Sequence, residues 1–339
     1  MPRPGYPRSI VEFTRQFATD EQCLEYLTAC RWPDGFRCRG CGHDKAWPRP
    51  DRKALRCAKC DLITSVTAGT VMHRSRLPLR SWLWAAYLVA TDKRGISALQ
   101  LQRQLRLGCY ETAFQMLHKL RAAMVAPERS RLRGAVEVDE CFIGAPPRNR
   151  APREALEKLI VAGAVEVRAE RNKRGKLVSF PGRIRLRHLA ARSKRELVGF
   201  VKDNVDPGSL VITDGLGSYK DVELAGYERA VESTSDGMAQ KDVLRHFHLV
   251  VSNLKAWLHG TLHGGISGKH LQAYLNEYTF RVNRRGNPQA AFQTVLGTAS
   301  RVQGPAGDQL YVDAGEPGGW QHPGLLGEPD EPLPFDHKL

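Results

Sequence analysis

Apolar residues recur at helical spacing at Phe13, Phe17, Cys23, Leu24 and Leu27, with acidic residues among them, which predicts one amphipathic helix over residues 10–27. The periodicity is lost from 31 to about 71, a loop-rich stretch, and returns over 79–124, where helix formers are interrupted at Lys93-Arg94-Gly95 and Leu107-Gly108. Beyond residue 132 the pattern changes. Short β-type runs occupy 135–143, 159–167, 183–189 and 209–213, and a helical pattern at 193–201 separates the last two. Two further amphipathic stretches, 248–259 and 269–282, predict helices. After Gly304 the chain is dense in Gly, Pro and acidic residues, which predicts a poorly ordered tail. The expected organisation is an N-terminal helix (1–30), a cysteine-bearing module (31–75), a helical segment (76–126), an α/β domain (132–300) and an acidic, Pro/Gly-rich tail (301–339).

Charge adds a partner class. The formal net charge is +15, and it is uneven: residues 302–339 hold seven acidic side chains against one lysine, leaving +21 on residues 1–301. A surface this basic gains affinity for polyphosphate backbones by releasing counterions. No run of about eighteen apolar residues predicts a membrane span, and the start lacks the apolar centre of a secretion signal. A cytoplasmic, nucleoid-associated protein is therefore expected, with no membrane partner.

Eight cysteines in such a chain read as metal ligands or buried thiols. Cys38-Arg39-Gly40-Cys41 and Cys57-Ala58-Lys59-Cys60 are two C-x-x-C knuckles separated by fifteen residues. Each knuckle can bite one ion, and two of them across a short hairpin complete a closed tetrahedral site, the pattern of a zinc ribbon. A closed four-sulfur site has no open position for water, so one Zn²⁺ here would fold the module and do no chemistry.

Residues 95–105 predict one helix and 110–124 a second, with Gly108 between them. Two short helices joined by a Gly-containing turn match a helix-turn-helix, whose second helix enters the major groove. Gln115, His118, Lys119 and Arg121 on that helix are the expected DNA contacts.

Acidic residues interrupt the apolar runs in two places. Glu137, Asp139 and Glu140 lie inside the run 135–143, and Leu210-Val211-Ile212-Thr213 ends on Asp214-Gly215. Burying charge costs several kcal/mol unless something compensates it, and a divalent ion does so. Two strand-borne aspartates side by side would hold Mg²⁺ or Mn²⁺ through hard oxygen ligands. A pair of such ions activates water or a 3′-hydroxyl and stabilises the leaving oxygen. Either aspartate alone also fits a strand-end cap or a salt bridge; the pair favours the metal.

Taken together, the knuckle spacing, the helical segment, Val136-Glu137-Val138-Asp139-Glu140, Thr213-Asp214-Gly215 and the run from His248 to Leu258 resemble bacterial insertion-sequence transposases of the IS1595 family, ISXO2-like group. The resemblance spans about residues 13–293. It implies a ribonuclease H-like catalytic core preceded by the zinc ribbon and the helix-turn-helix-type segment, with cut-and-strand-transfer chemistry on DNA. It makes Asp139 and Asp214 the first two ligands of two Mg²⁺ or Mn²⁺ ions. Related transposases often carry Glu or Asn seven residues before a lysine; here that residue is His248, before Lys255, which would contact phosphate. An imidazole at that position removes one negative charge and suits Mn²⁺ better than Mg²⁺. Asn253, at the margin of an apolar face formed by Leu249, Val250, Val251, Leu254, Trp257 and Leu258, is an alternative third ligand. So is Glu277, which stacks with Arg281 and Arg284 at a four-and-three spacing that resembles a family signature. The two arginines would then contact DNA.

The expected function is that of an insertion-sequence transposase. It would bind double-stranded element ends and target DNA as a homodimer or larger assembly, hydrolyse a phosphodiester and direct the 3′-hydroxyl into the target. Two alternatives stand beside it: a decayed transposase acting as a sequence-specific DNA-binding protein, and a ribonuclease H-like nuclease without strand transfer.

Overall fold

The computed structural model describes residues 4–125, 129–144, 159–215, 217–219, 221–233, 237, 239, 242–262, 266–306 and 308–311. Most of the acidic tail thus lies outside the described residues. The chain divides into two compact units, one drawn from Met1–Glu128 and Arg284–Leu339, the other from Arg129–Asn283.

In the first unit, residues 10–27 form two helices where periodicity predicted one: α1 (Ile10–Gln16) and α2 (Asp20–Arg31). The break is local. Thr19 accepts from the Gln22 backbone N–H while the Gln22 side chain takes the Thr19 N–H, a capping box that starts a new helix. A three-stranded antiparallel meander follows: β1 (Ala46–Arg49), β2 (Ala54–Cys57) and β3 (Ile63–Ser65). Three helices come next, α3 (Leu79–Thr91), α4 (Ala98–Leu105) and α5 (Tyr110–Ala122).

A further helix, which we number α10 (Pro288–Ala299), joins this unit and packs on α2 and α3. Its Phe292 ring lies 5.9 Å from Phe13, Phe17 and Tyr26 and 5.8 Å from Tyr87, at the centre of an aromatic core. The α/β domain expected to run from 132 to 300 therefore ends near Asn283. The following residues bury their apolar face, Phe292, Val295 and Leu296, among the N-terminal helices.

The second unit is a five-stranded mixed sheet in the order β6-β5-β4-β7-β8. Its strands are β4 (Ala135–Ile143), β5 (Leu159–Arg171), β6 (Leu177–Leu189), β7 (Leu210–Thr213) and β8 (Glu228–Val231), with β4, β5 and β6 antiparallel and β4, β7 and β8 parallel. Alternation along the strands sends Val136, Val138, Ala162 and Ala164 to one face. There they pack with Leu197, Phe200 and Val201 of α6 (Lys194–Asn204) and Val222 of the short α7 (Asp221–Leu224). Cys141, Ile143, Val161 and Val165 face the other way, against α8 (Arg245–Leu262) and α9 (Gly268–Asn283).

Edge strands expose unpaired backbone groups. On β6, α9 covers them with side chains that imitate a strand. Asn283 accepts from the Ile184 N–H at 2.8 Å and donates to the Ile184 carbonyl at 3.1 Å, while Gln272 accepts from the His188 N–H at 2.9 Å.

Candidate active site and metal centre

The four knuckle cysteines converge. All their Sγ atoms lie within 4.8 Å of one another, with Cys38–Cys60 at 3.5 Å and Cys41–Cys57 at 3.6 Å. Zinc–sulfur bonds of about 2.3 Å in a tetrahedron place ligand sulfurs about 3.8 Å apart, so the donor set fits that ion, and these separations are far too long for disulfides. The local backbone explains the convergence. In each knuckle the residue after the second cysteine turns left-handed, Gly42 at φ +69° and Asp61 at φ +60°, so the chain folds back on its own thiols. The Gly42 and Asp61 N–H groups then bond the carbonyls of Cys38 and Cys57. Gly40 packs inside the first knuckle, where an added Cβ would stand 3.1 Å from Leu62.

The aspartates come together through the sheet register. β4 and β7 run parallel with Ala135 opposite Leu210 and Glu137 opposite Ile212. Continuing that register by two residues brings Asp139 level with Asp214, which leaves the end of β7 and is followed by Gly215 at φ +85°. Asp139 is buried, and that burial pushes its carboxyl up to about 7, with the charges of Glu140 and Asp214 adding to the rise. A buried carboxyl beside a second carboxylate is the environment a divalent cation would relieve.

Neighbouring acids hold this pair in place. Glu140 points to the opposite face from Asp139, where it is fixed by Arg192 and by the Tyr219 hydroxyl, which donates to Oε2 at 2.7 Å. Tyr219 is fully buried and lies five residues beyond Asp214, so this bond ties the Asp214 turn to β4. Glu137, two residues before Asp139 and on the same face, accepts the Phe247 N–H at 2.7 Å and stands 2.6 Å from His246 Nδ1. A carboxylate at a helix N-terminus meets exposed N–H groups and the positive end of the dipole. Glu137 thereby docks α8 on the strand that carries Asp139.

The same helix presents His248 and Lys255. Both are exposed, and the His248 ring lies edge-on to Phe247 at 5.7 Å. Phe247 itself lies over Gly163, the register partner of Asp139, and His248 is the next residue of α8. Lys255 is close enough to Cys141, two residues past Asp139, for its charge to act on that thiol. Asn253 is exposed on α8. Leu249, expected on the apolar face, is 49% exposed. Glu277 is fully buried on α9 and paired with Arg281 at 3.5 Å, whose guanidinium also lies over the Trp257 ring. Arg284 lies just beyond the end of α9. Among the described residues, the four cysteines are the only group of three or more His, Cys, Asp or Glu side chains whose ligand atoms gather within 4.8 Å. The aspartate pair is thus not joined at that distance by His248 or by Glu277.

Two stretches of the chain match family models. Residues 131–283 match an ISXO2-like transposase domain, and residues 18–62 match the transposase zinc-ribbon domain of the same family. The chain belongs to the IS1595 transposase family. The first match coincides with the five-stranded unit, and the second takes in α2 and all four cysteines. No curated protein matches the chain.

In this family member, α4 and α5 form the pair of short helices expected over 95–124, with Ser97 capping α4 and Arg106 turning left-handed at its end. Of the four expected DNA contacts, two are corrected. His118 and Arg121 are 3% and 2% exposed, because their positions fall on the face of α5 that also buries Ala113, Met116, Leu117 and Leu120. Gln115 and Lys119 are partly exposed, with Gln115 tied to Glu111 at 3.1 Å. The residues sequence reasoning missed are Glu137 and Glu140 as anchors, with their partners His246, Arg192 and Tyr219. Two acids flanking Asp139 within an apolar strand were the available signal. No helix among the described residues is long and apolar enough to cross a membrane.

Proposed function

We propose that this protein is an active insertion-sequence transposase whose 129–283 unit is a ribonuclease H-like core. The strand order β6-β5-β4-β7-β8, with the three strands β4, β7 and β8 parallel and the other two antiparallel, supports that fold. The observation that carries the chemistry is the level placement of buried Asp139 on β4 and half-buried Asp214 just past the end of the adjacent parallel strand β7. These two carboxylates would hold Mg²⁺ or Mn²⁺, with His248 as the expected third ligand and Asn253 or Glu277 as the alternatives. Such ions lower the pKa of water and stabilise the leaving oxygen of a phosphodiester. Lys255, on the same side of the sheet, places a positive charge for a DNA phosphate. Glu140 and Glu137 keep the two aspartates and α8 in register without taking part themselves. One Zn²⁺ on Cys38, Cys41, Cys57 and Cys60 would fold the ribbon.

DNA binding is assigned to the basic surface outside the acidic tail. Gln115 and Lys119 of α5 are proposed contacts, with Arg281 and Arg284 of the family signature as auxiliary ones. Pairing of two DNA ends would require a dimer or larger assembly in the nucleoid. A binding-only, decayed transposase is the second reading, because His248 stands where related transposases carry Glu or Asn, and an imidazole there removes one negative charge from the metal site.

The test is strand transfer. A duplex carrying a pre-cleaved element end with a free 3′-hydroxyl is incubated with supercoiled plasmid and Mg²⁺ or Mn²⁺. Joined products that require the metal establish the transposase. Hydrolysis without joining identifies a plain nuclease, and duplex binding with neither product identifies the binding-only protein.

A further inference from the structure

Beyond Ala169 and its partner Ser179, whose hydroxyl still meets His246 Nε2 at 3.1 Å, the β5–β6 pair leaves the core. A register shift between Val165 and Val167 precedes the departure, and such irregularities bend and twist a ribbon away from its sheet. Residues 168–179 are all exposed, yet backbone pairing continues to Arg171 opposite Leu177. The ribbon projects from the end of the sheet where β4 begins, since Val136 is already opposite Glu166.

Its tip is built, not loose. Asn172 Oδ1 accepts the N–H groups of Arg174 at 2.9 Å and Lys176 at 3.1 Å, Gly175 takes φ +76°, and the Arg171 guanidinium donates to the Gly175 carbonyl at 2.8 Å. Residues 168–179 carry five basic side chains and one acidic one. Arg168 is paired with Glu166, and Arg171 is turned into the tip. Lys173, Arg174 and Lys176 have no acidic partner among the described residues, so three like charges stand together at the end of an ordered arm.

We propose that this ribbon is a DNA arm, gripping the phosphate backbone of duplex DNA through Lys173, Arg174 and Lys176. It is a site separate from both the aspartate pair and α5. It takes duplex DNA as its ligand from the functional reading above, and rests on that reading to this extent. The charge is complementary, a two-stranded ribbon fits the major groove, and a pre-ordered tip loses little freedom on binding. Backbone contacts position a protein without reading sequence.

The experiment measures affinity of the zinc-loaded full chain for duplex DNA across a salt series, with no added Mg²⁺ or Mn²⁺. Wild type is compared with the triple variant Lys173→Ala, Arg174→Ala, Lys176→Ala and with the charge-conserving pair Lys173→Arg, Lys176→Arg. All three side chains are exposed, so the melting temperature should not move. Three lost phosphate contacts should lower the slope of log affinity against log salt by about 2.7. Affinity should fall by about tenfold or more at low salt, equally on element-end and mixed-sequence duplexes, and the arginine variant should bind as wild type does. An unchanged slope in the triple variant, or a loss confined to the element end, overturns the proposal. So does a loss of binding to phosphatidylserine vesicles with DNA affinity unchanged, which would make the arm a membrane contact. If wild type itself does not bind duplex DNA, the functional reading falls first and the arm with it.

Discussion

Glu140 and Asp139 are neighbours in β4 with opposite tasks. Asp139 sits in a site that raises its proton affinity, whereas Glu140 is held by Arg192 and the Tyr219 hydroxyl on the other face. Removing that hydroxyl leaves a buried carboxylate oxygen without its donor, which costs about 1–3 kcal/mol. Tyr219→Phe should therefore lower stability by this amount in a denaturant melt. It should also weaken Mn²⁺ binding measured by titration calorimetry on the zinc-loaded chain, because the Asp214 turn loses its tie to β4. Equal Mn²⁺ affinity in the variant would show that Tyr219 only stabilises the fold. This tie was not legible in the sequence. Glu140 and Tyr219 are 79 positions apart, as Glu137 and His246 are 109 apart, and no local pattern links them. What could be read was that apolar strands carried acids needing compensation. For Glu137 and Glu140 the compensation is a helix N-terminus, a histidine, an arginine and a tyrosine.

Among the elements, β4 and β7 were legible because each is a short run rich in apolar and β-branched residues, the second closed by Asp214-Gly215. β8 was not, since four residues beginning Glu-Arg show no alternation strong enough to stand out. α10 was missed although Asn287 caps it and Pro288 occupies its first turn, both ordinary start signals. The docking of α8 was invisible as well, and besides the Glu137 bonds it needs the space left by Gly163. An added Cβ at Gly163 would stand 2.6 Å from the Phe247 ring and 3.0 Å from Leu186. Gly163→Ala should cost about 1–3 kcal/mol by overpacking. Gly199 supplies the opposite sign: it lies within α6 with open space around its Cβ position. Gly199→Ala should stabilise by about 0.5–1 kcal/mol through helix propensity. Both follow from urea melts; a neutral Gly163→Ala would mean that α8 does not rest on β5 as described.

At the scale of the whole molecule, the chain combines two units with separate demands. The cysteine cluster belongs to the first, and its stability should depend on zinc. Elemental analysis is expected to find about one zinc per chain, and Cys57→Ser with Cys60→Ser should abolish it. A chelator should lower the melting of the first unit while the β-sheet unit, which contains none of these thiols, keeps its transition. One cooperative transition shifted as a whole would show instead that the two units unfold together. The central claim concerns the second unit, that Asp139 and Asp214 together carry metal-dependent cleavage of DNA. Its most direct test is single-turnover cleavage of a pre-bound element-end duplex by wild type and by Asp214→Asn, in Mg²⁺ and in Mn²⁺, with DNA affinity measured in parallel. The account predicts cleavage that requires the metal and falls by about a thousandfold or more in the variant, an electrostatic loss on the scale of a key transition-state contact, while affinity for the duplex is kept. Cleavage by the variant at the wild-type rate would contradict it.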